Sequence, residues 1–442
     1  MAEAASAALA SEVIAGAEAS TPTPTPSPEM SIHEMKLRDL QGLLRHRFRN
    51  DELVVDNYTY ESLLPIGENY GSTMLKVHAV YREHDEDDSR PKELELVAKM
   101  MPPTDFQRSV FDSPYTFRKE AFLYQGLVPA YRQLERDFGV PEAELFDIVP
   151  GFYGVRYTLA NVEADDGRFD EDAVVLMENL KVAGYYTCDR KIGLDLEHAR
   201  AAIERLARFH ALGMAVKQHR PEKFALIRER SQALAFKENS EFEQTTIYFK
   251  NLFNMDPMLS EYRAKLERAM DLDPAVVWSS RPTEPWATIV HMDFWVNNIM
   301  FRRDETTGRV DDVKFVDFQN YMYMSPLREL AFFVGTNFRL DVMVEHFDEL
   351  IDCYYDKFIG TLERMNCDTE PFARDKFDER MKVDAFEEFT HCPFMLQIMT
   401  KDVSQDAKVQ DIKHMMMQQS LNSTFLERLR LLVKTFAAKG WL

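Results

Sequence analysis

At 442 residues the chain can bury the core of two domains or two lobes, and 45% hydrophobic against 29% charged residues is the balance of a soluble globule. With 53 Lys and Arg against 74 Asp and Glu, the net charge is −21, a field that repels nucleic acid and anionic membrane surfaces. The four cysteines lack CxxC spacing, which argues against a zinc site or a disulfide framework and for a reducing, cytoplasmic compartment.

The first residues, 1–30, are alanine-rich and then run into the alternation Thr21-Pro22-Thr23-Pro24-Thr25-Pro26-Ser27-Pro28. Half of that alternation has no backbone donor, and the acids Glu3, Glu12 and Glu18 count against a signal peptide. This reads as a disordered tail. No run approaches the roughly 18 apolar residues of a membrane span.

From residue 31 to 178 the pattern is that of a β-rich N-terminal lobe. Leu75–Tyr81 and Leu94–Met100 read as strands of an antiparallel hairpin, joined by an acidic connection. Gly67-Glu68-Asn69-Tyr70-Gly71-Ser72 precedes the first of them. Two glycines let backbone approach phosphate oxygens, so Gly67, Asn69, Gly71 and Ser72 are candidate nucleotide contacts. Lys99 ends the second strand among apolar neighbours, so its ammonium needs an anionic partner. Phe117, Ala121 and Tyr124 recur at helical spacing, which places Glu120 on a helix. Val174–Met177 is a buried strand that runs into Glu178-Asn179-Leu180. Residues 179–442 read as a mainly helical C-terminal lobe, starting with an amphipathic helix over Leu196–Lys217. The expected fold is α+β and bilobal. On the long helix His210 reads as a satisfied core residue, and Met415-Met416-Met417 as core packing.

The segment most telling of function is His291-Met292-Asp293-Phe294-Trp295-Val296-Asn297-Asn298, followed by Val316-Asp317-Phe318-Gln319. Between them, Ile299–Phe301 and Val313–Val316 read as a hairpin turning at Asp304–Gly308. Such a hairpin returns Asn298 and Asp317 to one end, where a single Mg²⁺ could meet both. Phosphoryl transfer from ATP needs that set: one carboxylate to orient a hydroxyl, and an amide oxygen plus a second carboxylate for the metal. Asp293 is the candidate catalytic base, and His291 a brace for its loop. Trp295 either lines an acceptor pocket or packs against the helical lobe.

His291–Asn298, Phe315–Gln319 and Ser325-Pro326-Leu327-Arg328-Glu329-Leu330-Ala331-Phe332-Phe333 resemble the ecdysteroid kinase-like family, a branch of the protein-kinase-like fold related to choline kinases and aminoglycoside phosphotransferases. The resemblance runs from about Tyr58 onward. It implies ATP and Mg²⁺ as cofactors and a small hydroxyl acceptor: an ecdysteroid, a related lipid or a foreign alcohol or phenol. It also implies a Lys99–Glu120 pair on the ATP phosphates, and adenine held by backbone at Glu178 and Leu180. A monomer is expected. The sequence departs from the family at two places. Met292 stands where a small residue is usual, and is expected to pack outward under Trp295. Glu329 replaces Asp, with the expectation that its extra methylene displaces a bond supporting the loop. A choline- or aminoglycoside-type phosphotransferase and a catalytically impaired pseudokinase stay open as alternatives.

Overall fold

The computed structural model describes residues 37–63, 72–84, 90–102, 104–110, 112–159, 168–232, 240–273, 277, 282–401 and 422–442. The expected tail over 1–30, the loop positions Gly67, Asn69 and Gly71, and Met415–Met417 lie outside these residues.

Helix α1 (Leu40–Phe48) precedes three strands, β1 (Val54–Ser62), β2 (Thr73–Arg82) and β3 (Lys92–Met100). A short helix α2 (Asp105–Val110) leads to α3 (Ser113–Phe122), which passes through one π turn at Leu123–Leu127 into α4 (Val128–Asp137). Pro129 near the start of α4 has no N–H to give the preceding turn, and the Val128 amide reaches back to the Leu123 carbonyl. Strands β4 (Phe152–Arg156) and β5 (Val174–Glu178) complete an antiparallel sheet of order β1-β2-β3-β5-β4.

Strand alternation gives this sheet two different faces. Leu96, Ala98 and Met100 of β3 join Leu75, Val77 and Ala79 of β2 and the leucines of α1 in one core. Val97 and Met101, with Val175 and Met177, join the larger core that contains Phe117, Ala121 and Tyr124. Lys99 shares the parity of Val97, so its side chain is delivered to the α3 side.

The remainder is helical around two short strand pairs. Helices α5 (Leu196–His219), α6 (Pro221–Arg230), α7 (Ser240–Met255) and α8 (Arg263–Met270) come first. Next are β6 (Thr288–Val290), the hairpin β7 (Ile299–Arg303) and β8 (Val310–Phe315), and β9 (Met322–Met324), which pairs antiparallel with β6. The hairpin turns at Asp304, whose carboxylate accepts from the amides of Thr306 and Thr307 at 3.1 and 2.7 Å. Helices α9 (Pro326–Thr336), α10 (Leu340–Glu345), α11 (Phe347–Arg364), α12 (Arg374–Glu388), α13 (His391–Thr400) and α14 (Ser423–Ala438) close the lobe. This is the α+β bilobal kinase-like fold expected. Among the described residues no helix is long and apolar enough to cross a membrane.

Candidate active site

Lys99 is 5% exposed, and its ammonium lies 2.6 Å from Glu120 of α3 and 2.7 Å from Asp317. Three segments far apart in sequence therefore converge on one nitrogen. Burial alone would favour the neutral amine; the Asp317 and Glu120 carboxylates overcome it and hold the Lys99 pKa above its usual value. The sequence expectation that Glu120 anchors Lys99 is met in the geometry, and Asp317 joins as a second anchor.

The loop from His291 to Asn298 turns sharply at Met292, with φ of 74°. That left-handed conformation costs an L-residue roughly 1–2 kcal/mol, the physical reason a small residue suits the position. Met292 does not pack under Trp295. It lies against Val290, Met322 and Met324 of the β6–β9 pair, while Trp295 packs on the main core. His291 is fully buried, accepts from the Asp293 amide through Nδ1 at 3.3 Å, and donates from Nε2 to the Val316 carbonyl at 2.9 Å. It thus ties the loop to the residue before Asp317, just past the end of β8.

Glu329 supports the same loop and loses no bond. Its carboxylate accepts from the amides of His291 at 3.1 Å and Met292 at 2.5 Å, and from His210 Nε2 at 2.8 Å. The expected displacement is corrected: the longer side chain spans both amides. Burial would raise the Glu329 pKa, but the His210 hydrogen bond, with His291 and the Met292 amide, holds it below the ordinary carboxylate range. His210 is completely buried and also meets the Tyr354 hydroxyl at 2.8 Å, so it is a satisfied core residue with a structural partner at the site.

The hairpin register pairs Ile299 with Phe315, and the Val316 amide donates to the Asn298 carbonyl at 3.0 Å. Asn298 and Asp317 are thereby brought to one end. Asn298 Nδ2 donates to the Asp293 carbonyl at 2.9 Å and to its carboxylate at 3.1 Å. This fixes the amide's orientation and turns Oδ1 away from Asp293. The Asn298 amide oxygen and the Asp317 carboxylate are hard oxygen donors, a set that fits Mg²⁺ shared with substrate phosphates. Among the described residues no group of three His, Cys, Asp or Glu could hold a metal ion.

At the lobe junction the Leu180 carbonyl accepts from the Tyr185 amide at 2.9 Å, while no described residue accepts from the Leu180 N–H. The Glu178 side chain accepts from the Gly151 amide at 3.0 Å, and the Glu178 amide donates to the Gly151 carbonyl at 2.8 Å. Leu180, Tyr185 and Met300 cluster here with Val316, the residue before Asp317. Ser72 leads into β2 and is half-buried.

A family model described as the ecdysteroid kinase-like family matches residues 66–367, more than half of the chain. The chain belongs to the ecdysteroid kinase-like family. Membership makes it a phosphotransferase of small molecules by family. A comparison with curated proteins finds no match. Solved structures similar to this family member include a choline kinase from Cryptosporidium parvum, at 10% identity over 91% of this chain and 96% of that one, TM-score 0.41. A spectinomycin phosphotransferase with ADP and spectinomycin is 9% identical over 91% and 98% of the two chains, TM-score 0.40. A Plasmodium vivax ethanolamine kinase is 11% identical over 87% and 85%, TM-score 0.37.

Several contacts at the site carry no local motif. His210 reaches Glu329 from α5, and Tyr354 of α11 meets the other ring nitrogen of His210. Asn337, just after α9, accepts from the Val296 amide inside the His291–Asn298 loop at 2.9 Å. A polar residue ending an otherwise apolar run, as Asn337 does after Ala331-Phe332-Phe333-Val334, is the signal that would have found it.

Proposed function

We propose that the protein is an ATP- and Mg²⁺-dependent kinase that phosphorylates a hydroxyl of an ecdysteroid or a related small lipid or xenobiotic. The carrying observation is the Lys99 ammonium bonded to both Glu120 and Asp317. A buried cation held by one helix carboxylate and one metal-site carboxylate is the arrangement phosphoryl transfer requires. Lys99 would contact the α- and β-phosphates, with Glu120 fixing its position. Asn298 and Asp317 would hold the metal, which when bound offsets the phosphate charge. Asp293 would orient the acceptor hydroxyl and take its proton. Backbone at Glu178 and Leu180 would receive adenine, and Ser72 with Gly67, Asn69 and Gly71 would cover the phosphates. The N-terminal lobe to residue 178 would thus serve the nucleotide and the C-terminal lobe the acceptor. A small acceptor is favoured over a peptide because β9 begins at Met322 and α9 at Pro326, which leaves no long activation segment after Asp317.

The test is turnover of ATP·Mg²⁺ by the full-length protein against ecdysteroids, sterols, phenolic glycosides and amino alcohols. Asp293→Asn is expected to lose at least about 10²-fold in rate while keeping its ATP affinity. Near-normal turnover in that variant overturns the assignment of Asp293. Turnover confined to amino alcohols moves the acceptor to the choline type, and nucleotide binding without any turnover leaves a ligand-binding pseudokinase.

A further inference from the structure

The catalytic turn is held from behind by a side chain that touches no reacting atom. Asn337 follows the last turn of α9 and is fully buried. A buried amide must be hydrogen-bonded on both its oxygen and its nitrogen. Its Nδ2 donates to the Phe333 carbonyl at 3.3 Å and the Thr336 hydroxyl at 2.9 Å. Its Oδ1 accepts from the Val296 amide at 2.9 Å. Val296 opens the 3₁₀ turn Val296–Asn298, and the first amides of such a turn have no partner within it. Asn337 supplies that partner, so it sets where Asn298 stands and, through the bonds from Asn298 Nδ2, where the Asp293 carboxylate points.

Asn337 is itself clamped on both flanks by one guanidinium. Arg428 of α14 is 4% exposed and donates to the carbonyls of Thr336 and Phe338, the neighbours of Asn337. Its other nitrogen donates to the carbonyls of Lys191 at 3.0 Å and Ile192 at 3.3 Å. No described carboxylate pairs with Arg428, and burial lowers its pKa to about 10, so it remains charged at neutral pH among four carbonyls. Two of them belong to the carboxyl end of α9 and its exit, where positive charge is favoured. The Asn337 carbonyl accepts from the Leu194 amide at 2.8 Å, and a Cβ at Gly193 (φ 85°) would lie 2.8 Å from that carbonyl oxygen. The peptide carrying Asn337 therefore has no slack.

We propose that Asn337 is a positioning residue for the reaction, and that Arg428, beyond the family-matched residues 66–367, holds it in register. The C-terminal helix is then a working part of the catalytic centre. This rests on the kinase reading, since what it positions is the Asp293–Asn298 pair.

The test compares Asn337→Ala with Asn337→Asp in the full chain. Asp keeps an oxygen for the Val296 amide but loses the two donors to α9; Ala loses all three bonds. The expected result is a 10- to 100-fold fall in kcat for Ala with acceptor KM changed less than about threefold, and a raised Mg²⁺ requirement. Asp is expected to retain more kcat than Ala even though its melting temperature is no higher. Arg428→Lys, which can reach fewer carbonyls, is expected to shift the Mg²⁺ requirement in the same direction. Wild-type kcat and Mg²⁺ dependence in folded Asn337→Ala, or activity that merely follows melting temperature across the variants, overturns the proposal. If the wild type turns over no acceptor, the kinase reading falls by itself. Calorimetry of ATP with and without Mg²⁺ then decides positioning: weakened metal coupling in Asn337→Ala supports it, and unchanged coupling overturns it.

Discussion

Two lysines are buried at helix α3, and their ammonium groups are treated in opposite ways. Lys99 reaches α3 from β3 and is bonded to Glu120 and Asp317. Lys119, the residue before Glu120, is 2% exposed, and no carboxylate among the described residues pairs with it. It donates to the Gln232 carbonyl at 3.1 Å and lies 5.4 and 5.2 Å from the ring centres of Tyr115 and Tyr321. Two carboxylates repay the desolvation of Lys99 and raise its pKa, whereas burial pushes Lys119 down to about 7. Equal burial thus says little about a lysine's charge. The partners decide it, and only the carboxylate-bound one reaches Asp317.

Replacing Lys99 with Met should break the first half of this contrast with the largest effect. It removes the cation and leaves Glu120 and Asp317 facing one another, and one partner lost from a buried ion pair costs about 3–5 kcal/mol. We expect kcat/KM for ATP to fall on the order of 10³-fold and the melting temperature to drop. A variant with normal kinetics would show that Lys99 is a structural cation alone.

Lys119→Met tests the second half, and its sign depends on pH. In the folded protein the amine loses its proton near pH 7, while the unfolded chain keeps it to about 10.5. Between those values the unfolded state binds more protons, so stability rises with pH across that window. Below it the wild type bears the whole cost of a buried ammonium. The Met variant should therefore be more stable than wild type at pH 6, by on the order of 1 kcal/mol after the ring contacts are allowed for. That advantage should shrink by pH 9.5. Urea titrations at the two pH values check it, and a pH-independent difference would mean the ammonium is fully compensated in place.

The smallest effect is expected from Tyr115→Phe. It keeps the ring beside Lys119 and deletes only the hydroxyl that donates to the Gln232 carbonyl at 2.9 Å. A loss of roughly 0.5–1.5 kcal/mol is expected, with the pH slope of Lys119 intact. A vanished slope would assign the control of Lys119 to that hydroxyl and not to the rings.

What was legible in the sequence follows the range of each signal. The His291–Asn298 segment and its hairpin are local, whereas the Lys99–Glu120 pair was reached through the family resemblance. The left-handed turn at Met292 follows from the expectation of a small residue there. Its packing direction did not, because β6 and β9 meet only after the chain between them has folded. Glu329 was misjudged for a related reason. The length of a side chain says nothing until the distance to its partners is known, and here the partners are two amides and His210. Adenine recognition at Glu178 and Leu180 would be by backbone, which leaves no trace in residue identity. Asn337 and Arg428 bond mainly to backbone atoms of other segments, so no spacing rule reaches them.

Position 193 shows how far that constraint extends. Three stretches of chain, at 191–194, 336–338 and 428, close on a point where the only side chain that fits is a hydrogen atom. Any larger residue would have to push back the peptide that seats Asn337, and with it the turn bearing Asn298. A position one hundred residues before Asp293 in sequence thus limits where the turn bearing Asn298 can sit.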